Sequence, residues 1–193
     1  VMKVTQGKLP GILLLEPHIY RDKRGHFLEV YREDQYPDFG VPTRFVQDNM
    51  SFSGKDVLRG LHYQLGRYPQ GKLIWVLEGS VWDVAVDIRR GSPTFGRYAG
   101  EFLSAEDYRQ IYIPEGFAHG FCVLSDSALV MYKVTNRHAP EEERGIRWND
   151  PTLNIGWPTK TPILSQKDED LPFLSTLGPG HLPLFVPRVE MVR

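Results

Sequence analysis

The segment KLIWVLEGSVWDVAVDIRR, residues 72–90, limits what this chain can fold into more than any other. Two runs rich in β-branched and aromatic residues flank Glu78-Gly79-Ser80, a turn sequence. In the second run Val81, Asp83, Ala85 and Asp87 share one side, and Trp82, Val84, Val86 and Ile88 share the other. A period of two is that of a strand, because successive Cβ atoms point to opposite faces. The segment predicts a β-hairpin whose Asp83 and Asp87 face is wet or lines a polar pocket.

The same grammar runs along the chain. ILLLEPHIY predicts a strand broken at Pro17, DKRG a turn, and HFLEVYRED a second extended run. RFVQDNMSFS, VLRGLHYQL, GRYAGEFL and ALVMYKVTN each read as one strand, and RQIYIPEGFAHGFCVLS as two around a Pro-Gly turn. Helical signals are short: EDQYPDFG ahead of Gly40, SAEDY with Ser104 as an N-cap, and SQKDEDLPFL. From about Asp150 the chain turns Pro-rich, and the tail from Gly178 reads as an irregular extension. These features predict an all-β barrel of the jelly-roll type, able to enclose a ligand. We expect one domain over residues 1–193, with a core at about 10–150 and a C-terminal segment at about 151–193 packing on it.

Composition excludes several classes. A net charge of -1 offers no nucleic-acid-binding balance. The single cysteine, Cys122, can form no intrachain disulfide, which fits a cytoplasmic protein. No apolar run is long enough for a secretory h-region or a membrane span.

The chemistry concentrates in VLRGLHYQ, residues 57–64, where His62 reads as a core histidine, a metal ligand or a base. IPEGFAHG, residues 113–120, has the form Pro-x-Gly-x-x-His and resembles the second half of the cupin signature. Metal-binding cupins place His-x-His in the first half. Here Gln64 stands where the second histidine would be, and Gln is a poor transition-metal ligand beside imidazole. We therefore expect no metal. His119 alone reads equally as a hydrogen-bonded core histidine.

Several blocks in consistent order carry a wider resemblance: RDKRGHFLEVYRED, FVQDN, VLRGLHYQ, QGKLIWVLEGSVWDVAVDIRRGSPTFG, IPEGFAHGF, YKVTN, PEEERGIRWNDP and ILSQKD. With these the chain resembles the dTDP-4-dehydrorhamnose 3,5-epimerases, the dTDP-sugar epimerase branch of the cupins. The resemblance implies a cofactor-free homodimer acting on a dTDP-4-keto-6-deoxy sugar, by epimerisation at carbons 3 and 5 to dTDP-4-keto-L-rhamnose. It implies His62 as base, Asp168 as its carboxylate partner, Lys72 on the enolate oxygen and Tyr132 as the acid on the opposite face. An imidazole, with an ordinary pKa of about 6.5, suits the base, and a phenol, at about 10, stays protonated to donate. Arg24, Arg59 and Lys167 would hold the diphosphate or sugar hydroxyls. Gln47, Asp48, Asn49, Glu29, His119 and Glu143 complete the implied substrate-binding set. Read alone, Asp168 is a solvated loop carboxylate, Lys72 a solvent-facing lysine and Tyr132 a packing residue.

Two features cut across this reading. Arg59 and His62 are three apart, so a regular strand points them to opposite faces, and only a bulge at Gly60 would bring them together. Arg137-His138 stands where the family often has Tyr-Tyr, and a histidine offers a nucleobase less apolar ring. The competing readings are a mono-epimerase acting at one carbon, a metal-dependent cupin and a non-catalytic nucleotide-sugar binding module.

Overall fold

A computed structural model describes residues 2–41 and 44–187. The strands follow in chain order: β1 (Lys3–Gln6), β2 (Leu13–Glu16), β3 (Tyr20–Asp22), β4 (Gly25–Phe27), β5 (Gln47–Gly54), β6 (Leu58–Gln64) and β7 (Lys72–Glu78). After them come β8 (Ser80–Asp87), β9 (Tyr98–Ser104), β10 (Gln110–Ile113), β11 (Phe117–Val123), β12 (Ser127–Val134) and β13 (Glu143–Gly145). One helical turn, α1 (Gln166–Glu169), and three 3-10 turns make up the helical content among the described residues. A six-stranded sheet, β1-β2-β10-β7-β12-β5, faces a five-stranded one, β13-β6-β11-β8-β9, and β3 pairs with β4. The jelly-roll expectation holds. β1 and β13 are strands that the sequence patterns did not single out.

The hairpin expected over residues 72–90 does not form. β7 pairs with β10 and β12, whereas β8 pairs with β11 and β9. A single residue, Gly79, separates the two strands, which is too few for the usual two-residue hairpin loop. Its φ is +74°, and a Cβ there would lie 2.0 Å from the Ser127 carbonyl oxygen. The chain therefore steps from one sheet to the other. Ile74 and Val76 then meet Val81 and Ala85 across the interior cluster.

The central strands are covered on their outer faces as well. Leu73 and Trp75 of β7 pack outward under Tyr36 and Val41. Val84 and Val86 of β8, with Ile88, pack outward under Leu153, Leu174 and Leu182 of the C-terminal segment. Asp150, 1% exposed, ties that segment down. Its Oδ1 accepts from the Thr152 and Leu153 amides at 2.7 and 3.1 Å, and its Oδ2 from Leu174 at 2.6 Å. No helix among the described residues is long and apolar enough to cross a membrane.

The bulge at Gly60 is present. His62 lies opposite His119 and Arg59 opposite Phe121, so Gly60 and Leu61 together face Gly120 alone. The extra residue returns Arg59 to the face that carries His62. Gly60 has φ +119°, and a Cβ there would sit 2.6 Å from the Gly120 Cα and 2.7 Å from the His119 carbonyl oxygen. We expect Gly60→Ala to cost about 2–4 kcal/mol of stability in urea unfolding, because neither backbone can yield. A cost below about 1 kcal/mol would mean that the bulge relaxes freely.

Candidate active site

Facing strands share a side of the sheet, and this places the polar residues at one end of the interior. His62 and Gln64 on β6 pair with Gly145 and Glu143 on β13. Tyr132 on β12 pairs with Asn49 on β5, and Lys72 begins β7 on the face of Ile74 and Val76. Together they line a cavity of about 250 Å³ with Gln47, Gln70 and His138. The volume suits a sugar ring rather than a whole nucleotide sugar. A larger cavity of about 800 Å³ lies elsewhere, beside Arg89 and Glu115. Both of its charged groups are already engaged, Arg89 by Asp87 and Glu115 by Thr135.

Asp168 arrives from α1. Ser165 caps the turn, its Oγ accepting from the Asp168 amide at 3.2 Å, and Asp168 is 4% exposed. His62 Nε2 and Asp168 Oδ1 lie 2.5 Å apart across 106 residues of sequence. Burial works to raise this carboxyl. The hydrogen bond and charge of His62, with the Gly60 and Ser165 hydrogen bonds, outweigh it and hold Asp168 below the usual carboxylate range. With Nε2 turned to the carboxylate, Nδ1 is left as the ring's acceptor.

Lys72 is buried, and its Nζ makes no hydrogen bond among the described residues. Burial pulls its ammonium down to about 8, against the opposing pull of Asp83 and Glu143. Tyr132 is pushed up by burial and so stays protonated. Beneath them His119 Nε2 meets Asp83 Oδ2 at 2.8 Å, and burial lowers the imidazole against the pull of Asp83. Asp83 thus fits the polar inner face that the alternation predicts. Asp87 serves the opposite end of the strand, where Arg89, Ser92 and Thr94 bind it.

Glu143 Oε2 accepts from Lys167 at 2.6 Å and from His138 at 3.1 Å. Burial raises this carboxyl, and those two hydrogen bonds overcome it and lower it. Gln64 is spent on the loops around the cavity. Its Nε2 donates to the Tyr68 and Arg137 carbonyls, and its Oε1 accepts from the Ala139 amide. Gln64, Gln70 and the His138–Glu143 contact were not legible as site features, since each depends on loops that meet only in the folded chain. No group of three or more His, Cys, Asp or Glu side chains suited to a metal ion occurs among the described residues.

Of the expected substrate-binding residues Gln47, Asn49 and Glu143 line this cavity, and Arg24, Glu29, Asp48, Arg59, His119 and Lys167 do not. Asp48 alternates to the outer face of β5, where it pairs with Lys133 at 2.7 Å. Arg24 sits on the exposed β3–β4 turn, chelated by Asp22. Glu29 is exposed beside Arg32. Arg59 keeps to the His62 face, and its Nε donates to Ser53 Oγ at 3.0 Å.

Fold and site together define a cupin-like barrel whose polar end holds a paired histidine, a desolvated lysine and a tyrosine. The family model for dTDP-4-dehydrorhamnose 3,5-epimerase matches residues 6–176, and the chain belongs to that family. An enzyme of that name from Pseudomonas aeruginosa is 54% identical over 169 residues, covering 86% of this chain and 93% of its own. One from Shigella flexneri is 52% identical over 168 residues, with the same coverage. The crystal structure of the epimerase from Legionella pneumophila, in complex with dTDP-4-keto-L-rhamnose, superposes with a TM-score of 0.93 at 46% identity. It covers 97% of this chain and all of its own.

A desolvated ammonium without a hydrogen bond costs stability. Because the folded pKa lies below the unfolded one, the unfolded state binds more protons between about pH 8 and lysine's ordinary range, and stability rises with pH there. We expect Lys72→Met to raise the unfolding free energy at pH 7 by about 1–3 kcal/mol. A destabilised Lys72→Met protein would show that the ammonium is a structural tie.

Proposed function

We propose that the chain epimerises dTDP-4-keto-6-deoxy-glucose at carbons 3 and 5, giving dTDP-4-keto-L-rhamnose. One observation carries this reading. His62 stands on the five-stranded sheet and Tyr132 on the six-stranded sheet, so base and acid approach a ring in the cavity from opposite walls.

Each carbon beside the 4-ketone carries a weakly acidic proton. His62 Nδ1 takes it, the C–H pair moves into the enolate, and the ketone oxygen becomes an oxyanion. Asp168 holds the imidazole ring and stabilises the imidazolium. Lys72 supplies the positive charge for the oxyanion, inside a cavity where that charge is weakly screened. Tyr132 returns a proton to the other face, and solvent restores its phenol and takes the proton from His62, which readies the pair for the second carbon. The chemistry uses side chains alone. Gln47, Asn49, His138 and Glu143 line the cavity for the sugar, and Lys167 is tied to it through Glu143. His119 orders the floor through Asp83, and Arg59 adds a cation on the same face.

A homodimer is part of this reading. β5 is an edge strand that exposes Met50 and Phe52, at 66% and 62%. The β3–β4 pair exposes Tyr20 and Phe27, at 58% and 69%. An uncovered edge with apolar side chains favours a partner. In such a dimer Arg24 and Glu29, outside the cavity of their own chain, would serve that of the partner. A buried lone cysteine and a nucleotide-sugar substrate suit the cytoplasm.

Proton NMR of dTDP-4-keto-6-deoxy-glucose in deuterated water tests the reaction. Deuterium should enter at carbons 3 and 5. Exchange at one carbon would mean a mono-epimerase, and exchange at neither would sink the reading. His62→Ala should lose about 10³-fold or more in turnover with nucleotide affinity nearly unchanged. Tyr132→Phe should still exchange the first proton yet complete epimerisation poorly, and normal product formation would remove the acid role. Turnover should fall as pH rises through about 8, where Lys72 loses its charge. A flat profile to pH 10 would remove Lys72 from the oxyanion. Sedimentation should give twice the chain mass.

A further inference from the structure

We infer that Arg147 is a positioning residue for the reaction, holding the carbonyls at and just beyond the end of α1 so that Asp168 stays on His62. The inference rests on the His62–Asp168 pair of the proposed function and adds the device that sets it.

The segment with Asp168 cannot place itself. α1 is a single turn, and a turn that short has no stability of its own. Its N-terminal side is closed by Ser165. On the far side, Arg147 Nε donates to the Leu171 carbonyl at 3.0 Å and Nη2 to the Glu169 carbonyl at 2.6 Å. The Arg147 amide donates to the Pro172 carbonyl at 2.9 Å, and the guanidinium lies 5.0 Å from the centre of the Phe173 ring. One side chain thus binds carbonyls one and three residues beyond Asp168. Its fork matches two acceptors at once, and its charge suits the negative end of the turn.

Arg147 is itself tied to the histidine. It lies two residues beyond Gly145, which faces His62 across the β13–β6 ladder. Between them Ile146 exchanges two backbone hydrogen bonds with Leu61, the neighbour of His62, at 2.9 and 3.1 Å. A Cβ on Gly145 would fall 2.7 Å from the Leu171 side chain, so the segment after α1 seats directly on this stretch. Residues 145–147 therefore join the strand of the base to the turn of its carboxylate. A pair at 2.5 Å loses its hydrogen bond if that turn shifts by an ångström or so.

The test is a double-mutant cycle on the full chain. Arg147→Ala and Arg147→Lys are each made alone and with Asp168→Asn. Deuterium incorporation into dTDP-4-keto-6-deoxy-glucose is measured per nucleotide site, counted by dTDP titration so that unfolded protein does not enter the rate. We expect Arg147→Ala to lower kcat by about 10–100-fold with KM within about 2-fold, and Arg147→Lys, which reaches one carbonyl, to recover part of the loss. With Asp168→Asn already present, either change should cost less than about 2-fold, since the carboxylate it positions is gone. If Arg147→Ala does not fold, the Arg147→Lys cycle gives the same answer. Losses that multiply in the double variants, or a wild-type kcat in both single variants, overturn the clamp and leave the pair standing. An unchanged kcat in Asp168→Asn alone sinks the pair and the clamp with it.

Discussion

The hydrogen bond between His62 and Asp168 is the contact on which the rest of the site depends. It joins the barrel wall to a one-turn helix in the C-terminal segment. Without it the imidazole would have no fixed tautomer, and the carboxylate would be a buried charge without its main partner. Further contacts hold the described part of the segment against the barrel. Asp150 captures the Leu174 amide, Leu153 and Leu174 fill the outer face of the five-stranded sheet, and Tyr63 donates to the His181 carbonyl. The C-terminal segment is thus both a cover for β8 and the carrier of a site residue.

Central strands with both faces buried explain why β7 and β8 read as so apolar. β7 places Ile74 and Val76 inside and Leu73 and Trp75 outside, so alternation there separates two cores rather than core from water. The polar inner positions stand out against that background. Lys72, Asp83 and His119 lie on inward faces where neighbours in the same strands are Ile74, Val81 and Phe117. Their desolvation gives Lys72 its lowered ammonium and His119 its lowered imidazole. The electrostatics of the site follow from the core that surrounds it.

Most strand positions were legible because a period of two is local, and so were the turn of DKRG and the helical turn of SQKD, though its cap by Ser165 was not read from the sequence. Which strands pair was not. Gly79 marks a reversal in either geometry, and only the competition for partners sends β7 and β8 to different sheets. Within the site, the blocks FVQDN and VLRGLHYQ contain residues of both faces. Alternation carries Asp48 away from the cavity while Gln47 and Asn49 stay, and the Gly60 bulge brings Arg59 back to the side of His62. Gln64 reads as a missing metal ligand in the sequence and is a loop tie in the fold.

The sequence by itself determined an all-β chain, most of its strands, the polar side of the strand that carries Asp83 and a family resemblance resting on several short motifs. Those properties are local or additive along the chain. The tertiary structure supplied the contact by which Asp168 meets His62, which the sequence offered only through the resemblance, and it alone decided that Arg147 spans from the neighbours of His62 to the turn of Asp168 and that Arg24 lies outside the cavity of its own chain. These depend on contacts between residues far apart in sequence. Such contacts form only once the sheets and the C-terminal segment have packed together and the chain's remaining freedom has been removed.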